Sequence, residues 1–280
     1  MTVGIVTDSA AAVPDDLVAA HNLAVVPMWL TVDGQPVRED QITVAEVLAG
    51  DVTTSGPTPG EFEQAIKESL RGTDDGVVVL TIASTMSGTN AAAIAGAHAA
   101  GAANVRVVDT GTAAGAQALV VLAAAGAAEA GASLEQVVAA ARHARDEVRL
   151  RAALPSLDHL VRSGRVPNIA ARAGRRLGIV PMFEFRAGSA HPVRPARGME
   201  AALDRLVSSW HRDRIEGART HIVALHADAP EQAQSLMERV QERATGEIAS
   251  AFVGSFGTVM TAHTGPGLVG LAWRWARVTS

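Results

Sequence analysis

Three short polar segments carry the side chains that could do chemistry. Ser84-Thr85-Met86-Ser87-Gly88-Thr89 gathers hydroxyls between an apolar run, Val77 to Ile82, and a helical stretch, Asn90 to Ala100. Ser87 is spaced to cap that helix, and Gly88 lets a ligand approach the backbone. A helix start offers unpaired N–H groups and partial positive charge, which suit a carboxylate or a phosphate. Thr54-Ser55 is a second hydroxyl pair, in a polar loop before another helix. His263-Thr264-Gly265-Pro266-Gly267 places an imidazole at the end of an apolar run, Val259 to His263, that reads as a strand. Hydroxyls, helix-start amides and an imidazole N–H can together satisfy a buried anion.

The same residues allow a second chemistry. Ser87 as nucleophile, His263 as base and Asp8 or Asp109 as orienter have the residue types of a hydrolytic triad, which makes an acyl hydrolase the alternative to a binding protein. No G-x-S-x-G elbow accompanies Ser87. Gly265 to Gly270 spells G-x-G-x-x-G, but few residues remain for a βαβ unit and no acidic residue stands about 20 positions on. There is no Walker loop and no H-E-x-x-H, the His residues are scattered, and there is no Cys. No metal site, cofactor or catalytic residue is assigned.

These groups need elements to position them. The first half alternates β-rich runs (Val3 to Thr7, Ala24 to Val32, Val77 to Ile82, Val105 to Val108) with helical stretches. Thr58-Pro59-Gly60-Glu61 and Ser133-Leu134-Glu135-Gln136 are capping boxes that start two of those helices, and Thr43 caps a shorter one. Ala-rich Thr112 to Ala130 reads as a buried helix. Such alternation predicts a mainly parallel sheet flanked by helices, with ligands beyond the carboxyl ends of its strands. Asp8-Ser9, Ser84 to Thr89 and Asp109-Thr110 all lie at such ends. The second half predicts an α+β unit: a hairpin over Ile179 to Arg186 and Pro192 to Ala196, helices over Met199 to Trp210 and Asp228 to about Ala244, and strands at Ile222 to His226, Ile248 to Val253 and Val259 to His263. The expected domains are 1–150 and 151–280.

Composition narrows the function further. A chain of 280 residues with 48% apolar content can bury a sizeable core. A net charge of -5 and an aromatic content of 3% argue against binding nucleic acid through phosphate contacts or base stacking. Arg162, Arg165, Arg172, Arg175 and Arg176 form a basic cluster in this acidic chain, suited to an acidic partner or a transient contact with an anionic membrane surface. The absence of Cys, and of a basic flank with an apolar signal core near Met1, predicts a cytoplasmic protein.

Read in order, the segments resemble the DegV family of bacterial fatty-acid-binding proteins. Ile5-Val6-Thr7-Asp8-Ser9, Thr54 to Phe62, Ser84 to Thr89, Val107 to Thr110, Ser163-Gly164-Arg165, Arg197-Gly198, His226-Ala227-Asp228 and His263 to Gly267 carry the likeness over nearly the whole chain. Gly56 stands where the family usually has Gln. The resemblance implies a long-chain fatty acid, palmitate- or oleate-like, held between the two domains with its carboxylate among Thr54, Ser87 and His263. Ser55, Gly88, Thr89 and Thr264 are additional candidates. It implies a carrier that does no chemistry alone, in phospholipid metabolism, presenting the acid to a separate fatty acid kinase that makes acyl phosphate. Arg165, Arg172 and Arg197 are the candidate contacts to that partner or its phosphoryl group. Met28, Ile169, Met182, Phe183 and Met260 are candidates to line the tail.

Overall fold

The computed structural model describes residues 2–162, 178–186 and 188–277. The apolar runs of the first half become strands β1 (Val3–Asp8) and β2 (Ala24–Val26), then β3 (Trp29–Val32), β4 (Gln35–Arg38) and β5 (Val52–Ser55), then β6 (Gly76–Thr81) and β7 (Val105–Asp109). Four of them form a wholly parallel sheet in the order β2-β1-β6-β7. Its central strands, β1 and β6, are buried along their full length, as expected where helices cover both faces. The other three form a small antiparallel sheet, β4-β3-β5.

Helices α1 (Asp15–Ala20), α2 (Val44–Ala49), α3 (Pro59–Leu70), α4 (Thr89–Ala100), α5 (Ala114–Glu129) and α6 (Leu134–Glu147) complete the first half. The capping boxes at Thr43, Thr58 and Ser133 all form. Phe62 and Ile66 of α3 pack with Val6, Val77 and Val79 on one face of the parallel sheet. On its other face, α5 and α6 pack against Val3, Ile5, Val78 and Leu80.

The second half contains β8 (Arg149–Ala153), α7 (Asp158–Arg162), β9 (Ile179–Arg186), β10 (Ser189–Arg197), α8 (Met199–Arg212), β11 (Ala218–Ala227), α9 (Pro230–Arg243), β12 (Ile248–Ser255), α10 (Gly257–Thr264) and β13 (Leu268–Arg277). Its strands make one mixed sheet in the order β10-β9-β8-β13-β11-β12, parallel only between β11 and β12. Helices α8 and α9 cover its outer face through a core that includes Trp210, Leu236 and Trp273.

The inner face of the mixed sheet packs on α5, so the core around α5 runs from one sheet to the other. This explains the Ala- and Gly-rich sequence of α5. A side chain on Gly115 would come within 2.9 Å of Leu225 and Val223 on β11. A helix buried between two sheets must be thin. No helix among the described residues is long and apolar enough to cross a membrane.

Four local expectations are corrected. Ala24 to Val32 is not one strand: β2 joins the parallel sheet and β3 the small antiparallel one. Thr54 lies in strand β5 rather than in a loop. Strands β8 and β13, absent from the sequence reading, pair near the middle of the mixed sheet. Val259 to His263 lies in helix α10, not in a strand. Its β-branched residues favour a strand locally, but tertiary bonds override that preference. Glu39 accepts a hydrogen bond from the Val259 N–H at the helix start (3.0 Å). The Thr261 and Thr264 hydroxyls each donate to the carbonyl four residues back.

Candidate functional site

Strand β5, the turn before α4 and helix α10 bring the three polar segments to one cavity of about 270 Å³. Thr54, Ser87 and His263 all line it. Register places Thr54 opposite Leu30 of β3. From there the Thr54 hydroxyl meets His263 Nε2 of α10 at 2.8 Å, across 209 residues of sequence. Ser87 does not cap α4. The N-cap is Gly88, which has no side chain to offer the first turn. Ser87 instead shares a hydroxyl–hydroxyl bond with Thr89 (2.8 Å) and accepts from the Thr89 N–H (3.3 Å). The helix start therefore faces the cavity through a glycine, with Ser87 beside it, a suitable arrangement for an anion.

The additional candidates divide. Ser55, Gly88 and Thr264 line the cavity. Thr264 is buried, and its hydroxyl is engaged with the Met260 carbonyl, a bond within α10. Thr89 is also buried and acts through Ser87. Gly56 is a lining residue whose importance comes from its lack of a side chain. A Cβ there would stand 2.6 Å from Thr89 Oγ1, so the chain just after β5 approaches that hydroxyl in a way that a larger residue would allow only if Thr89 shifted.

The apolar wall comes from Met28, Ile82, Met86, Leu160, Val259 and Met260. Met28 and Met260 were expected there. Met86 and Ile82 were not singled out, although both lie in or beside the Ser84 to Thr89 segment. Met182 belongs instead to the core under α8 and α9, and Phe183 packs against the core around α5. Ile169, Arg165 and Arg172 lie outside the described residues. Arg197 is exposed at the end of β10 and does not line the cavity. Arg162 ends α7, the helix that contributes Leu160, and its guanidinium meets His159 Nδ1 at 3.1 Å.

The strand-end carboxylates hold the loops. Asp8 accepts from the Ala10 and Ile82 N–H groups and from Gln117, joining the ends of β1 and β6. Its complete burial outweighs those bonds and pushes its pKa up to about 6. Asp109 accepts from the Ser84 and Gly111 N–H groups and so fixes the start of the hydroxyl turn. Both oxygens of each carboxylate are thus engaged in positioning backbone. Ser87 is bonded to Thr89 while His263 Nε2 is bonded to Thr54.

Glu39 was missed altogether. It accepts from Ser9 Oγ and from the Val259 N–H, and Ser9 in turn accepts from the Met28 N–H (2.9 Å). One carboxylate therefore ties β1, the segment before β3 and the helix bearing His263. No local pattern announces it, because its partner in α10 is 220 residues away.

Comparison with known proteins agrees with this architecture. The family model described as an uncharacterised protein of the DegV family matches residues 2–275. A DegV domain-containing protein of Streptomyces coelicolor is 34% identical over 275 residues, covering 96% of this chain and 97% of that protein. A fatty acid-binding protein of Thermotoga maritima is 28% identical over 281 residues, covering 96% of each. A DegV family protein of Thermus thermophilus, solved in a study of its fatty acid binding, superposes with a TM-score of 0.91 at 28% identity, over 98% of this chain and all of that one. With a matching family model over nearly its whole length and relatives of the same architecture, this chain belongs to the DegV family.

Proposed function

We propose that this protein binds a long-chain fatty acid, with the carboxylate among Thr54, Ser87 and His263 and the tail between the two halves of the chain, 1–150 and 151–280. The observation that carries this reading is the convergence of those three side chains, from β5, the α4 turn and α10, on one cavity with an apolar wall. Relatives named for fatty acid binding support it.

The energetics fit. Each buried methylene contributes about 0.8 kcal/mol, so a palmitate tail supplies roughly 11 kcal/mol before ordering costs. A buried carboxylate without partners would cancel much of that, and hydroxyls and an imidazole prevent it. The cavity volume of about 270 Å³ is just below the ~300 Å³ at which small-molecule sites usually begin. Met28, Met86 and Met260 on the wall are adaptable enough to fit an alkyl tail.

The protein performs no chemistry alone in this reading. It presents the carboxylate to a fatty acid kinase, with Arg165, Arg172 and Arg197 as the candidate contacts to that partner and the basic cluster of Arg162, Arg165, Arg172, Arg175 and Arg176 as the candidate for a transient approach to an anionic membrane. The charge clustering in the sequence supports this step. Two experiments test the proposal. Mass spectrometry of lipid extracted from the purified protein should find a palmitate- or oleate-like acid. Incubation of the loaded protein with ATP should yield acyl phosphate only when the kinase is added. Absence of bound lipid together with no uptake of palmitate or oleate refutes the binding. Acyl phosphate formed without the kinase refutes the passive role.

A further inference from the structure

A second cavity, of about 500 Å³, lies between α1, α5 and the β12 edge of the mixed sheet. It shares no lining residue with the first. Leu17, Leu119, Leu122, Ala123 and Phe252 make its apolar walls. Register then sets three polar residues in a row across neighbouring strands on the face toward α5. His221 of β11 stands opposite Ser250 of β12 on one side and opposite Arg274 of β13 on the other, and all three line the cavity.

The row is organised as a site. His221 Nδ1 and the Ser250 hydroxyl are hydrogen-bonded at 2.9 Å. Burial, with added repulsion from Arg274 and Arg219, holds the His221 pKa down to about 4, so the imidazole is neutral at neutral pH and Arg274 carries the charge of the row. The Arg274 side chain is only 12% exposed, and among the described residues its ion pair is a long one, Nη1 to Glu147 at 3.4 Å. Among the described residues its buried Nε–H has no acceptor. A guanidinium has five donors, and a buried donor without a partner is costly. The Arg274 guanidinium, held through Nη1 by a long bond to Glu147, stands beside an apolar cavity of ordinary ligand size.

We propose that this cavity is a second ligand site, which takes a compact monocarboxylate by seating its apolar body against α5 and Phe252 and its anionic end on the Ser250–His221–Arg274 row. The charge around the row sets the valence. Asp16 lines the cavity, Glu147 already faces Arg274, and Glu129 is paired with His21 on the same wall. A doubly charged phosphate would add more negative charge to a wall that already holds Asp16 and Glu147 than a single carboxylate does, so the single carboxylate meets less repulsion on the row.

Cyclohexanecarboxylate is a suitable probe, titrated by calorimetry into the full chain with and without saturating palmitate. The expected result is one binding event that palmitate does not compete away, weakened about tenfold or more (~1.4 kcal/mol) by Arg274→Met and by Ala123→Phe, which fills the cavity from α5. Ala123→Phe carries the test if Arg274→Met does not fold. Absence of binding overturns the proposal, as does competition by palmitate or equal affinity in the cavity-filled variant.

Discussion

Replacing Thr54 with Val removes one oxygen from the site and keeps the shape of the side chain. The Thr54 hydroxyl is half-buried and lies 2.8 Å from His263 Nε2. Its loss takes a partner from the imidazole and a donor from a bound carboxylate. Hydrogen bonds to charged groups contribute about 1.5–3 kcal/mol, so the affinity for palmitate or oleate should fall by roughly 10- to 150-fold. Folding should change little, because β5 is an edge strand of the small sheet and Val suits a strand. Calorimetric titration of delipidated protein reads the effect, and thermal melting checks the fold. Thr53→Val is the control, since Thr53 is exposed one position away and points to the other face of β5. A cycle combining Thr54→Val with His263→Ala should show coupling above about 0.5 kcal/mol, as for groups in contact. Unchanged affinity in Thr54→Val, or an equal loss in Thr53→Val, refutes the assignment of this hydroxyl.

Three further outcomes follow from the same geometry. Glu39→Ala should lower stability by about 1–2 kcal/mol, the scale of a lost helix cap, and should weaken fatty acid binding because α10 bears His263; an unchanged Tm and affinity would show that α10 needs no such tie. Asp8 has a folded-state pKa of about 6 against an ordinary 3.8, so protonation favours the fold, and its contribution is present below about pH 4 and lost as pH rises through 6. The stability of the native protein relative to Asp8→Asn should therefore fall by up to about 3 kcal/mol between pH 4 and pH 7, and denaturant curves with parallel pH profiles would contradict this. Phe62→Ala, at a fully buried position on α3, should cost about 3–5 kcal/mol in stability, read from denaturant unfolding, and a loss below about 1 kcal/mol would contradict its place in that core.

What could be read from the sequence was whatever local chemistry decides. Continuous Val-rich runs announced β1, β6 and β7, Ser/Thr-x-x-Glu/Gln spacing announced the starts of α3 and α6, and a capping Thr43 that of α2, because burial and capping act within a few residues. The fold class followed from their alternation. Tertiary competition decided the rest. The α10 segment reads as a strand by propensity, yet Glu39, 220 residues away, accepts from the Val259 N–H and caps it as a helix. Strand β13 follows a Gly-Pro-Gly turn and carries Gly270 within it, which obscured a strand paired on both sides. The hydroxyl-rich turn and the imidazole were legible as chemistry. Their meeting was not, since the bond from Thr54 to His263 depends on the small antiparallel sheet lying against α10. Gly56 shows the same limit: as a sequence feature it is a missing side chain, and in the structure it is the clearance that admits Thr89 and Ser87.

The most direct measurement is a crystal structure of the palmitate-loaded protein. Carboxylate oxygens should lie within hydrogen-bond distance, about 3.2 Å or less, of Thr54 Oγ1, Ser87 Oγ and His263 Nε2, with the first methylenes between Met28 and Met260. A carboxylate resting anywhere else, including on Arg274 in the cavity beside α1, would contradict this placement.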